Sequence, residues 1–407
     1  MAKKRHAHTA QAKLSRHAVS RLEKEARMRR IITIVSAVFL AAIAIAVGVG
    51  LYIDKIRPMH EVFLEVNGRQ FSMGYYIDFL KNYAGRTSDT TQLRRIAQQL
   101  PSQIARDEVL RQAGQAEGII VTNDEIEAEL EDNNLPDNDI YRDSATAALY
   151  AEKVKQRFLE SLPETMIQVK FEIMLVESRE VANEVMTLVN SGTSMADLLD
   201  EYSANPQITP VQDWTPPELL ANADVKNAVQ TREPGSISVL LDEDVTKPVG
   251  YWLIEVIDKD DKGAILPRAI LAGSLAEAQE ARARLEAGDD WATIVEEYSQ
   301  YTLADEEGVL DFLSEEDVVS NTFNEAAFSL ELNTLSEPIK DTEVQTTGGY
   351  WVVKLLDRED RELAPDTANA MAQKAFNDWF AEQNEAAVVE QNLTPEQVNW
   401  AIEQATS

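Results

Sequence analysis

The sequence predicts a mixed α+β protein: a helical lobe followed by two copies of one strand–helix unit. Two patterns carry this. Between residues 60 and 165 apolar positions recur mostly at helical spacing, whereas from 166 onward short strands alternate with helices. The second texture also repeats itself. Ala182 recurs as Ala278, and Glu201-Tyr202-Ser203 as Glu297-Tyr298-Ser299, both 96 positions later. Gly250-Tyr251-Trp252 recurs as Gly349-Tyr350-Trp351, 99 positions on. Two helical cues and one strand cue agreeing on nearly one offset mark a duplicated unit of roughly 90 residues. The copies are expected at 166–258 and 267–358, with the charged stretch Asp258 to Leu266 as the linker between them.

In chain order, Val62 to Val66, Asn67-Gly68 and Arg69 to Phe71 read as a hairpin, because Asn-Gly supplies the left-handed turn. Ser72 then caps a helix carrying Tyr76, Phe79, Leu80 and Tyr83. A second helix is expected from about Thr91 to Ala116, with Pro101 bending it. Thr122 and Glu125 form a capping box for a third. After the loop Glu131 to Asp139, a fourth is expected from about Ser144 to Leu162, and Pro163 closes the lobe. Beyond the copies, residues 365–407 read as C-terminal helices, with Thr394, Pro395 and Gln397 opening the last. Their apolar stripe needs a partner, which is either the adjacent copy or the N-terminal lobe.

A third observation divides the chain. Ile31 to Ile53 is 23 residues without a charge. At ~1.5 Å per residue such a helix crosses a hydrocarbon core of roughly 30 Å. Residues 1–30 hold ten Lys/Arg and two Glu, a net +8, so the chain's −32 leaves −40 on the rest. A basic flank stays in the cytoplasm. The expectation is a basic cytoplasmic tail (1–30), a single transmembrane anchor (31–53) and an acidic extracytoplasmic bulk. A cleaved signal peptide has a shorter apolar core, although Ala46-Val47-Gly48 offers a weak cleavage site. Topology already accounts for the basic tail, so no nucleic-acid partner is expected. An acidic ectodomain should favour basic clients through electrostatic steering.

The chain has no cysteine, which excludes disulfides and thiolate chemistry. Its four histidines, His6, His8, His17 and His60, all precede both copies, so no Ser/His/Asp triad can form there. Acidic runs such as Asp289-Asp290 and Glu315-Glu316-Asp317 lack the spacing of a calcium loop. There is no glycine-rich phosphate loop either. No metal and no small-molecule cofactor is expected.

Each copy reads strand, helix, helix, strand, helix, strand, strand, and this order resembles a parvulin-type prolyl isomerase domain. In the second copy Gly288 to Trp291 with Glu297-Tyr298-Ser299 resembles the family's "AGEDF…EYS". Gly308 to Phe312 resembles "GDLGWF", Phe323 to Phe328 "FEEAAF", Leu335 to Pro338 "ISEPV", and Gly349 to Val353 "GYHII". Residues 60–165 are similar to the helical chaperone lobe of the SurA/PrsA/PpiD family, and the anchor resembles that of its membrane-tethered members.

The resemblance implies an apolar proline pocket beside a polar network of two histidines and a Cys or Asp. The pocket positions of the second copy are Leu310, Val319 and Phe323; in the first they are Gln212 and Val225. Trp351 is a further candidate contact for bound peptide, with core packing as the alternative for all four. The network positions carry Ile173 and Ala269 on the first strand, Trp252 and Trp351 on the last, and Asn205 and Tyr301 after the Tyr-Ser pair. No catalytic residue can be named. Three functions stay open: a chaperone or foldase binding unfolded exported polypeptides through degenerate copies, an isomerase with a non-histidine site, and a structural adaptor in a membrane complex.

Overall fold

The computed structural model describes residues 56–84 and 89–406, with scattered positions between 28 and 52. Of the expected anchor Ile31–Ile53, nine of the 23 positions lie outside the described residues, and so does the basic tail apart from Met28. Among the described residues no helix is long and apolar enough to cross a membrane. The chain divides into two compact units, one of residues up to Arg157 together with those from Phe376 onward, the other Phe158–Ala375.

The first unit opens with β1 (Val62–Val66) and β2 (Arg69–Ser72). Asn67 (φ 46°) and Gly68 (φ 87°) both take the left-handed conformation of the two-residue turn between them. In α1 (Met73–Ala84) the Tyr75 N–H donates to the Ser72 hydroxyl over 3.3 Å. Asp89 caps α2 (Thr90–Ala116), which runs unbroken through Pro101. The capping box Thr122/Glu125 opens α3 (Asn123–Asp132). The Glu125 carboxyl is held down to about 2 by Lys153 and by the cap's own hydrogen bonds. The fourth helix, α4 (Asp139–Ser161), begins before Ser144 because the Asn138 side chain accepts the Tyr141 N–H (3.1 Å) and supplies an earlier cap.

The second unit holds both copies. The first runs β3 (Thr165–Val176), α5 (Arg179–Asn190), α6 (Met195–Tyr202), β4 (Val211–Thr215), α7 (Ala223–Thr231), β5 (Ile237–Lys247) and β6 (Gly250–Lys259). The second runs β7 (Ile265–Ala272), α8 (Leu275–Ala287), α9 (Trp291–Tyr298), α10 (Asn321–Ser329), β8 (Ile339–Asp341) and β9 (Thr346–Glu362). Helix Ncaps recur at matching positions, with Ser178 on α5 and Ser274 on α8.

The sheets do not follow the copies. One has the order β4-β3-β9-β5 and the other β7-β6-β8. Each copy therefore gives its last strand to the other copy's sheet. The register shows that the exchange is symmetric. Trp252 lies opposite Leu271 and Ile339, while Trp351 lies opposite Leu175 and Leu240. Ile254 faces Ala269 as Val353 faces Ile173.

This corrects the expected division at 166–258 and 267–358, because β6 and β9 leave those ranges in space. It also corrects the linker: Asp258 pairs with Leu266 and Lys259 with Ile265, so this stretch is the turn of the β6–β7 hairpin. The cause lies in the two residues between β5 and β6. Pro248-Val249 lacks the Asn-Gly type of turn chemistry, so the chain stays extended and enters the next sheet. Beside this crossover the buried Lys247 amine donates to the carbonyls of Thr347 (3.0 Å) and Gly348. Burial pushes the amine's pKa down, opposed by Glu277 and Glu177.

The chain ends with α11 (Pro365–Ala386), β10 (Val389–Gln391) and α12 (Pro395–Thr406). Strand β10 pairs antiparallel with β1, Leu64 opposite Gln391 and Val66 opposite Val389. Phe380 and Ala401 are buried in the core of Phe63, Tyr76 and Leu93. Of the two partners open to this stripe, the N-terminal lobe is the one it meets.

Candidate peptide-binding site

In the second copy, the expected pocket residues pack against β7. Ala269 and Leu271 point to the same face, and β6 places Ile254 and Trp252 opposite them. Residues 308–313 run along the outer edge of β7. The Ala269 N–H donates to the Gly308 carbonyl (2.8 Å), and the Leu310 N–H to Pro267 (2.9 Å). Gly308 has φ +77°, and a Cβ there would stand 2.8 Å from the Ala269 carbonyl oxygen, so only glycine allows this approach. Ser320 then caps α10, accepting the Phe323 N–H over 2.9 Å and fixing that ring in the first turn.

Leu310, Val319 and Phe323 are thus brought together in one cluster. Trp252 is 0 % exposed within it, and its ring packs edge-on to Phe323 at 4.9 Å and to Tyr301 at 5.1 Å. The indole is part of the buried core of this cluster. Trp351, the fourth predicted site residue, is not brought to this cluster. It stands on β9 in the other sheet, and strand exchange puts Trp252 where it was expected.

Both indoles are fixed by the same device, which sequence reading missed. Trp252 donates from Nε1 to Asp341 Oδ2 (2.8 Å), and the Ser320 hydroxyl donates to the same oxygen (2.5 Å). Trp351 donates to Asp242 Oδ2 (2.9 Å), and Asn222 Nδ2 donates there too (2.6 Å). Ser320 caps α10 as Asn222 caps α7. The signal was available, since Asp242 and Asp341 are 99 positions apart like the tryptophans. The surroundings differ. Around Trp252 the copy places Tyr301, Leu310 and Phe323; the first copy has Asn205, Gln212 and Val225 in those positions, and Trp351 is only half-buried. Among the described residues no group of three or more His, Cys, Asp or Glu could hold a metal ion.

The lobe offers a separate groove of about 780 Å³, lined among others by Met59, His60, Tyr75, Asp78, Lys81 and Ile140. Beside it, Glu108 is buried with Arg69 and Arg111, and Asp143 takes the second arm of Arg69 (2.8 Å) and the Tyr75 hydroxyl (3.1 Å).

Residues 271–357 match the rotamase family described as the PPIC-type PPIASE domain. The chaperone SurA of Methylobacillus flagellatus is 25 % identical over 260 residues, 58 % of this chain and 55 % of that protein. Over these stretches the chain is similar to parvulin-type proteins of the SurA/PrsA kind. A foldase protein PrsA of Halalkalibacterium halodurans is 42 % identical over 84 residues, 20 % of this chain and 23 % of that one. The chain thus spans about half the length of the SurA relative and under a quarter of that PrsA. A crystal structure of PrsA from Bacillus subtilis aligns over 85 % of this chain and 92 % of that one at 13 % identity, with a TM-score of 0.19. The family match runs in linear order into β9, the strand that folds into the other copy's sheet.

Proposed function

We propose that this chain is a membrane-anchored extracytoplasmic chaperone, holding unfolded exported polypeptides with two parvulin-like copies that have lost catalysis. The observation that carries the reading is the buried Trp252, packed against Phe323 and Tyr301 at a position where the family's polar network would hold a histidine. A prolyl bond turns over a barrier of ~20 kcal/mol, lowered only if the proline enters the pocket. A cluster packed around a buried indole and without histidine leaves out the polar part of that work. A chaperone needs only to bind non-native chains and so reduce their free concentration. The 23 uncharged residues of Ile31–Ile53 and the charge asymmetry around them support an anchor with the acidic bulk outside.

The test uses the full chain in two assays. It should suppress aggregation of a denatured client at near-stoichiometric amounts while leaving the rate of a proline-limited refolding reaction unchanged. Acceleration of refolding that Phe323→Leu abolishes would replace this reading with the isomerase. Accessibility of the ectodomain to protease on intact cells checks the topology.

A further inference from the structure

Strand β5 ends the sheet β4-β3-β9-β5 and is 11 residues long. The other sheet ends are short or covered. β4 has five residues and β2 four, while β8 and β10 have three each. β7 has residues 308–313 bonded along its outer side through Ala269, Leu310 and Leu313. An open edge is a template for another strand, and proteins shorten, charge or cover their edges for that reason. β5 does none of this over residues 237–241, Ile-Ser-Val-Leu-Leu, which hold no charge and no proline.

The ladders fix which of its groups face outward. The Ile173 N–H donates to the Pro210 carbonyl beside β4 (2.8 Å). Bonding direction alternates along an antiparallel strand, so Met174 turns its backbone groups to Val352 opposite it on β9. Val353 then turns to Ser238 on β5. The Leu355 N–H bond to the Ser236 carbonyl (3.1 Å) keeps the same phase. Ser238 and Leu240 are thus tied to β9, and Ile237, Val239 and Leu241 present their N–H and C=O groups to the outside. Among the described residues no strand and no loop backbone pairs with them. Helix α5 packs on one face of β5 with Ile237 and Val239, and α7 on the other with Leu240. Leu241 is 44 % exposed.

We infer that the outer edge of β5 binds an extended, apolar segment of a client polypeptide as an added strand. Donors and acceptors repeating at strand spacing match only an extended backbone, and they read no particular sequence. The apolar side chains of β5 favour β-branched and aromatic neighbours on the added strand. A second copy of this chain is the other strand-bearing candidate, and mutual repulsion at a net charge of −32 disfavours it. The inference rests on the chaperone reading and adds how that chaperone grips its substrate.

A labelled peptide of alternating Val and Thr with a Lys at each end tests it on the full chain. Hydrogen exchange of the free protein should be fast at the Ile237, Val239 and Leu241 amides, and the peptide should slow it there. The same peptide N-methylated at every second residue keeps its side chains but loses one edge of donors. Fluorescence anisotropy should show it binding at least about tenfold more weakly. Val239→Pro removes one outward N–H without touching the ladder to β9, and should weaken the unmethylated peptide about tenfold. Leu241→Lys places a charge on the edge, keeps every backbone donor and should weaken it as well. Equal affinity for both peptides, or protection appearing elsewhere, overturns the inference. So does a peptide-free dimer that Val239→Pro dissolves, because a second copy then fills the edge. Client aggregation is followed in parallel. Failure of the wild-type chain to suppress it sinks the underlying reading, while suppression that neither variant alters overturns this edge alone.

Discussion

Asp341 accepts three hydrogen bonds, from the Trp252 indole, the Ser320 hydroxyl and the Glu343 N–H, and is 0 % exposed. Removing it leaves an indole and a hydroxyl buried without an acceptor. Asp341→Ala should cost about 2–4 kcal/mol in chemical denaturation, because stranded buried donors retain their desolvation penalty. Asp242 makes the equivalent bonds to Trp351 and Asn222 but is half-buried, and water can replace it. Asp242→Ala should cost only about 1 kcal/mol. Equal costs would show that the two copies bury their indoles alike.

Asp107 lies in the lobe beside the Glu108, Arg69, Arg111 and Asp143 cluster, around the same small cavity. Burial raises its pKa to about 6, with Arg106 opposing and Asp143 adding to the rise. The folded state thus holds this proton more tightly than the unfolded chain does. Stability from this group is fully present at low pH and falls as pH rises from the unfolded value near 4 to about 6. Asp107→Asn should therefore raise stability by about 1–2 kcal/mol at pH 8 and by nothing below about pH 4. Melting temperature against pH for both proteins checks the sign.

At the scale of elements, local chemistry was legible wherever a side chain acts on its own backbone. The Asn67-Gly68 turn, the Thr122/Glu125 box and the cap of α12 all stand where their residues indicate. The order of elements in the first copy was legible too, and so were Leu310, Val319 and Phe323 as neighbours. What could not be read was which β-strand pairs with which. Gly250-Tyr251-Trp252 and Gly349-Tyr350-Trp351 offer nearly the same side chains to either sheet, so the repeat that revealed two copies also concealed their exchange. Only the absence of turn residues at Pro248-Val249 distinguished the outcomes, and a short connection is a weak signal. Trp351 was misplaced for this reason alone.

For the whole second unit the exchange makes the two copies one object. Strand β9 pairs with β3 along its entire length, from Thr165 opposite Glu362 to Val176 opposite Tyr350. Neither copy as a stretch of sequence owns its sheet. A cysteine-free chain allows a clean test, since any introduced pair is the only pair. Ile167 and Asp360 are exposed partners on β3 and β9. Ile167→Cys with Asp360→Cys should close a disulfide under mild oxidation, because directly opposed residues lie about 4.5–5.5 Å apart. Cleavage at a protease site placed in the Asp260–Gly263 turn should then give two fragments that migrate as one without reductant and separate with it. If β9 instead closed a hairpin with β8 in its own copy, Asp360 would lie far from Ile167. The cut chain would then run as two bands in both lanes.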